Sequence, residues 1–229
     1  MRLSSTGQDW LKILALVTMT IDHIGYFWGD ETQITRTIGR AAFPLFAFLI
    51  GYNLTVRKAN PRKYIQDLLL FGTISYPIMF ITRGYGINIM FTLALGILFW
   101  MFLEWTNKQE EKEIIFTKII GTIVFSVIGL FTEYSILGFS LIAISAWIAK
   151  QEKIYIYLPM LSIMEIITNI LSFNYSVTIP GAFLTYAIII SAYYIQGNVR
   201  FFKGKILKYG FYAYYPVHFL LLFIISNYH

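Results

Sequence analysis

The sequence contains no cysteine and only three histidines, and charged residues make up just 13% of its 229 positions. Without cysteine there is no disulfide, no thiolate metal ligand and no cysteine nucleophile, so any chemistry must use histidine, carboxylates or hydroxyls. A chain this poor in charge, and 57% hydrophobic, is far more apolar than an ordinary soluble domain. These shortages indicate an integral membrane protein.

Long apolar runs follow one another along the whole sequence. A helix needs about 20 apolar residues to cross a hydrocarbon core of about 30 Å, and the runs leave no room for a separate soluble domain. We predict one transmembrane domain over residues 1–229, an all-α bundle of about nine transmembrane helices. No small-residue cleavage site follows the first run, so we expect a membrane helix there rather than a signal peptide. The expected spans are 9–28, 36–55, 64–82, 87–105, 113–131, 134–149, 154–172, 177–195 and 211–228.

The basic residues predict the orientation. Of the 18 Lys and Arg residues, only Arg36, Arg40 and Arg83 fall on one side when the spans are threaded alternately. Cytoplasmic loops carry the excess of basic residues, so we expect a cytoplasmic N-terminus, an extracytoplasmic C-terminus and a multi-pass protein of the plasma (inner) membrane. Topology and contact with anionic membrane lipids account for the net charge of +6, and no nucleic acid partner is expected.

Asp22 and His23 stand next to each other inside the first apolar run. An ionisable group there costs several kcal/mol unless it faces a polar interior. At about 1.5 Å per residue, His23 lies roughly 20 Å from the inner end of its helix, and Arg40 and Glu165 come out at similar depths. The sequence therefore predicts a polar pocket that opens outward. Because about 100° of helix separates Asp22 from His23, Glu165 or Glu133 is the better candidate to orient the His23 ring.

His218 lies in the last apolar run, only about 10 Å from the inner end of a helix that begins near residue 211. That depth is too close to the cytoplasm for contact with an outer substrate, but it suits a route between the two sides. Structural roles stay open as well: interhelical hydrogen bonds for His23 and Glu165, and a snorkelling side chain for Arg40. No His pair at helical spacing and no carboxylate-rich loop is present in the sequence, so we expect no metal.

Three segments together resemble the TraX family: residues 11–23 (LKILALVTMTIDH), 38–48 (IGRAAFPLFAF) and 211–218 (FYAYYPVH). The founding activity of that family is N-terminal acetylation of F-type conjugative pilin. The family is also similar to a broader superfamily of transmembrane acyltransferases, in which a basic residue precedes a first-helix His by ten intervening residues. Lys12 and His23 have that spacing, with Lys where Arg is usual. The segment 133–135 reads Glu-Tyr-Ser, where the family is expected to have Asp-Tyr-Gly.

The resemblance implies an acyltransferase that moves an acyl group, acetyl in the first instance, from cytoplasmic acetyl-CoA to an acceptor outside. The acceptor would be a peptide, such as the N-terminus of a pilin, or a cell-envelope glycan. A neutral His is a suitable general base, so His23 would take the acceptor proton and Arg40 would stabilise the oxyanion, with Asp22 and Glu165 in the same site. A ping-pong route through acetyl-His23 is also open. The residues expected to contact acetyl-CoA are Lys12, Arg57, Lys58, Lys63, Tyr215 and His218.

Two functions from other classes stay open. A proton-coupled transporter would use Asp22, His23, Arg40 and Glu165 as a relay; it would be built from inverted repeats with broken helices, and no two halves are detectable in the sequence. A structural assembly partner for secretion or conjugation would tolerate replacement of the buried polar residues.

Overall fold

The computed structural model describes residues 2–29, 33–84, 87–109, 114–170, 175–202 and 204–227, and all regular structure in these ranges is helical. Five helical segments are long and apolar enough to cross a membrane, by length and composition. The molecule is therefore a helical membrane protein. The helices, in chain order, are α1 (Ser5–Trp28), α2 (Ile34–Gly39), α3 (Ala42–Thr55), α4 (Pro61–Arg83), α5 (Ile89–Thr106), α6 (Ile114–Gly129), α7 (Ser135–Ala149), α8 (Ile154–Ile170), α9 (Tyr175–Tyr194) and α10 (Gly204–Ser226).

Each predicted span coincides with a helix, or in one case with a pair of helices. The predicted positions 113, 171, 172 and 228 lie outside the described residues. The largest difference concerns the last helix, which begins at Gly204 instead of near residue 211. The number of membrane crossings and the orientation stay predictions.

The predicted span 36–55 is broken into α2 and α3 at Arg40 and Ala41. The backbone N–H of Arg40 bonds to the Arg36 carbonyl at 3.1 Å, whereas that of Ala41 bonds to the Ile38 carbonyl at 3.3 Å. This change from four-residue to three-residue spacing tightens the turn. The break places Arg40 at the junction of the two helices.

Side-chain caps fix where several helices begin. The Ser4 hydroxyl accepts from the Gly7 N–H at the start of α1, Asn60 caps α4, which has proline at its first position, and Asn88 accepts from the Met90 N–H at the start of α5. Each cap satisfies a backbone N–H that has no partner within its helix.

Helix α3 lies at the centre of the bundle, and most of its residues are buried. It packs most extensively on α7, where a Cβ at Gly51 would lie only 2.5 Å from the backbone nitrogen of Ala146. Glycine at this point therefore permits close approach of the two helices. At the other side of the bundle, α10 packs on both α1 and α4, and the space enclosed by α1, α3, α4 and α10 holds the main cavity.

Candidate active site

A cavity of about 1060 Å³ extends along α1 from the N-terminal end of that helix, which the charge distribution predicts to be cytoplasmic. Ser5, Lys12 and His23 all line it. The rise of about 1.5 Å per residue separates Lys12 from His23 by roughly 16 Å along the helix axis. One cavity therefore joins residues near the N-terminal end of α1 to the buried histidine, and its volume lies at the upper end of the range for ligand pockets.

His23 is buried, and its ring contacts a second histidine. Its Nδ1 lies 2.7 Å from Nε2 of His218 on α10, and Nδ1 of His218 lies 2.6 Å from the Tyr214 backbone oxygen. Phe219 packs edge-on against His23 with ring centroids 4.7 Å apart. A hydrogen bond of 2.6 Å between the hydroxyls of Thr20 and Tyr214 joins α1 to α10 one turn away. The histidine pair is thus held by two packed helices.

The prediction that His218 lies well below the level of His23 is wrong, because α10 begins seven residues earlier than expected. Those residues add about 10 Å of helix between its start and His218, which brings the two rings to one level. His218 is not among the described residues that line the cavity. It contacts His23 from the side away from the cavity and does not line a route through the bundle.

Asp22 holds two arginines at the cavity wall. Its carboxylate oxygens accept from Arg36 Nη1 and from Arg40 Nη2, each at 2.9 Å. The Arg40 side chain is only 2% exposed, and its Nη1 also reaches the side-chain oxygen of Asn169 at 3.4 Å. A Cβ at position 39 would overlap the Asp22 side chain, so this approach requires Gly39. Asp22 therefore positions guanidinium groups and has no contact that orients His23.

Glu165 lies behind this cluster. It is fully buried, and one of its carboxylate oxygens accepts from the Thr185 hydroxyl at 3.1 Å. Asn169 donates to its backbone oxygen at 2.9 Å and so links it to Arg40. The described lining of the cavity does not include Glu165. The Nδ1 of His23 contacts His218, and the Glu165 carboxylate contacts Thr185. The prediction that Glu165 could orient His23 is therefore wrong, and the link through Asn169 suits support of Arg40.

Glu133 also does not orient His23, because it pairs with Arg83 at 2.6 Å. The Arg83 guanidinium lies between the rings of Tyr26 and Phe219, 4.9 and 4.8 Å from their centroids. Both members of this pair line the cavity. The pair connects the end of α4 to the segment before α7, and the rings that flank it belong to α1 and α10.

The cavity has a cationic end, here called the inner mouth, formed by Asp9, Lys12, Arg57, Arg200 and Lys208. Asp9 organises it: one oxygen accepts from Lys12 Nζ at 2.7 Å, and the other accepts from the backbone N–H groups of Phe201 and Phe202 at 2.6 and 3.3 Å. These bonds bring the segment that follows α9 against α1. Arg200 therefore reaches the cavity although it is distant from α1 in sequence.

Two arginines of the inner mouth have no carboxylate partner in the described part of the chain. Arg57 Nε lies 2.9 Å from the Gln8 amide oxygen once that amide is turned to present its oxygen, and Arg200 Nε donates to the Ser5 hydroxyl at 3.3 Å. Lys12 and Lys208 are instead paired, with Asp9 and with an acid on α4. The two arginines are therefore the cations best able to bind an anion.

The family of the protein follows from comparison with known sequences. The family model described as TraX protein matches residues 7–226. The chain belongs to the TraX family.

Relatives of this TraX-family protein include Protein TraX of Escherichia coli, which is 28% identical over 151 residues, 65% of this chain and 59% of that protein. The probable fimbrial assembly protein FimC, serogroup H1, of Dichelobacter nodosus is 25% identical over 239 residues, 93% of this chain and 92% of that protein. An uncharacterized protein of Rickettsia prowazekii is 42% identical over 91 residues, 39% of this chain and 34% of that protein. No solved structure matches the chain.

The three segments that resemble the TraX family converge on the cavity of this family member. Lys12 and His23 come from the first, Arg40 from the second, and Tyr215, whose hydroxyl lies 3.6 Å from the Met79 sulfur, from the third; all four line the cavity.

Besides His218, two more of the predicted acetyl-CoA contacts lie outside the described lining of the cavity. Lys63 is half exposed and pairs with Asp67 at 2.8 Å, and Lys58 is exposed at a backbone turn with φ of 56°. Neither is among the described residues that line the cavity. Sequence reasoning assigned no role in the site to Arg200 and Lys208, since both lie far along the chain from α1, and only the fold brings them to the inner mouth.

Proposed function

We propose that this TraX-family protein is a membrane-embedded acyltransferase that uses acetyl-CoA from the cytoplasm and modifies an acceptor on the opposite side of the membrane. The observation that carries the proposal is a cavity that has cations at one end and a buried, hydrogen-bonded histidine along its wall. The proposal includes a plasma (inner) membrane location, a cytoplasmic N-terminus and the nine-span topology.

The donor enters at the inner mouth. Its phosphate groups bind Arg57 and Arg200, the cations without a carboxylate partner among the described residues, because guanidinium forms bidentate bonds to phosphate. The pantetheine arm then lies along α1 and passes Tyr215, which lines the same cavity. The roughly 16 Å between Lys12 and His23 suits an extended arm that carries the thioester to the histidine.

Transfer at His23 requires only groups that line the cavity. His23 removes the proton from the acceptor amine or hydroxyl while that atom attacks the thioester carbonyl. The oxyanion of the tetrahedral intermediate is stabilised by Arg40, whose guanidinium is already held in place by Asp22 and needs no reorganisation. The carbon–sulfur bond then breaks, and the proton on His23 passes to the departing thiolate. The products are the acylated acceptor and free CoA.

The names of two relatives favour an acceptor in pilus assembly or conjugation. One is named TraX and the other a probable fimbrial assembly protein. A pilin-like peptide with a free N-terminal amine is therefore the first acceptor to test, and a cell-envelope sugar is the second.

The test uses the purified full chain in detergent micelles. Acetyl-CoA at about 100 times its Kd stabilises a one-site protein by about 2.7 kcal/mol, and we expect its melting temperature to rise accordingly. Transfer of radiolabelled acetyl to a synthetic pilin N-terminal peptide should be abolished by His23→Ala. It should be unchanged by Lys118→Ala, because this lysine on α6 lines a separate, smaller pocket and is not in the described lining of the main cavity. The proposal fails if no CoA compound shifts the melting temperature across a wide concentration range.

A proton-coupled transporter is the second candidate, because the break between α2 and α3 at Arg40 is a feature that transporters share. In that case Asp22, His23, Arg40 and Glu165 would form the relay. Uptake of a solute into proteoliposomes, driven by a proton gradient and without acyl transfer, would favour this candidate over the acyltransferase.

A further inference from the structure

We infer that His218 is a positioning residue that fixes His23 in one tautomer, with the proton on Nδ1, so that Nε2 of His23 is the nitrogen that acts as base. This inference deepens the proposed function and rests on it for its catalytic meaning. It also makes a statement about proton positions that can be tested without any acyl transfer.

The proton positions follow from the chain of contacts. A backbone carbonyl only accepts hydrogen bonds, so the 2.6 Å contact with the Tyr214 oxygen places a proton on His218 Nδ1. A neutral imidazole carries one N–H, so Nε2 of His218 is an acceptor. The 2.7 Å contact between the rings then requires His23 Nδ1 to donate. His23 is left with an unprotonated Nε2.

Both rings must be neutral for this order to hold, and their surroundings support that state. His23 and His218 are 6% and 5% exposed, and in the ranges that the structure describes neither forms an ion pair with a carboxylate. Burial of an unpaired charge is costly. Two imidazolium rings would also present N–H groups to each other, which the short contact between them does not allow.

Packing fixes the two ring planes. Tyr214 stacks on His218 with ring centroids 4.7 Å apart and planes 8° apart, and Phe219 meets His23 edge-on. Because Nδ1 of His23 faces His218, which stands behind the cavity wall, the opposite nitrogen is the one available to the cavity. The arrangement is comparable to the orientation of a catalytic histidine by a carboxylate, with a second histidine and a backbone carbonyl in that place.

The relay also supports the charged state during transfer. When the acceptor N–H or O–H bond breaks, its proton forms a bond to His23 Nε2 and the ring becomes an imidazolium. The Nδ1–H of that ring keeps donating to His218 Nε2, so the positive charge is stabilised by an acceptor already in place. The Nε2 proton later passes to the thiolate, which restores the resting tautomer.

Nitrogen NMR of the full chain in lipid nanodiscs, with ¹⁵N-labelled histidine, tests the tautomer directly. We expect protonated Nδ1 and unprotonated Nε2 for both His23 and His218, with His23→Ala and His218→Leu used for assignment. In His218→Leu the fixed Nδ1–H state of His23 should be lost. Observation of Nε2–H on His23 in the unaltered protein would overturn the inference.

An assay of acetyl transfer to the pilin N-terminal peptide distinguishes a positioning role of His218 from a role in packing alone. His218→Leu should lower kcat by about 10²–10⁴-fold, as expected for a catalytic histidine in the wrong tautomer, with KM for acetyl-CoA unchanged. His218→Gln offers an amide oxygen to His23 Nδ1 and should recover most of that loss. Ser162→Ala, which removes a hydroxyl contact between α8 and α9 away from the relay, is the matched control and should stay near the unaltered rate.

The outcomes distinguish the inference from the proposed function. Equal loss in His218→Leu and His218→Gln would mean that His218 acts only through packing, and would overturn the inference. The predicted tautomer in a protein that neither binds acetyl-CoA nor transfers acetyl would support the inference about His218 and overturn the acyltransferase.

Discussion

Replacement of Asp22 by alanine should destabilise the protein strongly, because it removes the shared partner of two arginines. Both contacts are 2.9 Å long, and the Arg40 side chain is 2% exposed while that of Arg36 is 24% exposed. After the change, water can solvate Arg36 far more readily than Arg40. The expected cost is therefore set by Arg40.

Removal of one partner from a buried ion pair costs about 3–5 kcal/mol, because the other charge stays buried without that carboxylate. For a chain of this size, each kcal/mol lowers the melting temperature by about 2–4 °C. Asp22→Ala should therefore lower the melting temperature by roughly 6–20 °C.

The assay is thermal unfolding of the purified chain in one detergent, followed by intrinsic tryptophan fluorescence. The matched control is Glu104→Ala, which breaks a 2.6 Å pair with Lys150 whose side chains are 37% and 43% exposed. Such an exposed pair contributes at most about 1 kcal/mol. If Asp22→Ala lowers the melting temperature no more than Glu104→Ala, the carboxylate does not hold the buried guanidinium and the account of the site is wrong.

Two further predictions concern packing and the inner mouth. Gly181→Ala would place a methyl group 2.6 Å from the Cβ of Arg40 and should destabilise the protein by about 1–3 kcal/mol through overpacking. In Gly210→Ala the new methyl group meets no atom within 4 Å, and it should stabilise α10 by about 0.5–1 kcal/mol; equal melting temperatures for the two variants would contradict this. Arg57→Ala should raise the Kd for CoA about tenfold or more by loss of a charged hydrogen bond, and Lys118→Ala should leave it unchanged in the same binding titration; equal effects would remove the inner mouth from the donor site.

Sequence reasoning located the helices well but misjudged where the last one begins. Hydropathy reports the apolar part of a helix, and α10 starts with two turns in which Lys205 and Lys208 interrupt the apolar residues. These turns stay helical beside α4, where Lys208 pairs with Asp67 at 2.6 Å. The pairing partner lies 141 positions away in sequence, so no local pattern could have revealed it, and the depth of His218 was misjudged as a result.

Depth along α1 was predictable, whereas lateral contacts between helices were not. The spacing of Lys12 and His23 predicted two levels of one helix, and both residues do line one cavity. The partners of the buried charges depend on which sides of neighbouring helices pack together. The contacts of Asp22 with two arginines and of His23 with a second histidine therefore follow only from the fold. The lone arginine at position 83, between two apolar runs, was a signal that could have indicated a buried pair.

A structure of the full chain with bound acetyl-CoA tests the central claim most directly. The account predicts phosphate density against Arg57 and Arg200 and a thioester carbonyl beside Arg40. Between that carbonyl and His23 Nε2 it predicts room for one acceptor atom, about 3–3.5 Å from the carbonyl carbon and within hydrogen-bond reach of Nε2. Acetyl-CoA bound outside the cavity, or a cavity that holds a transported solute instead, would contradict it.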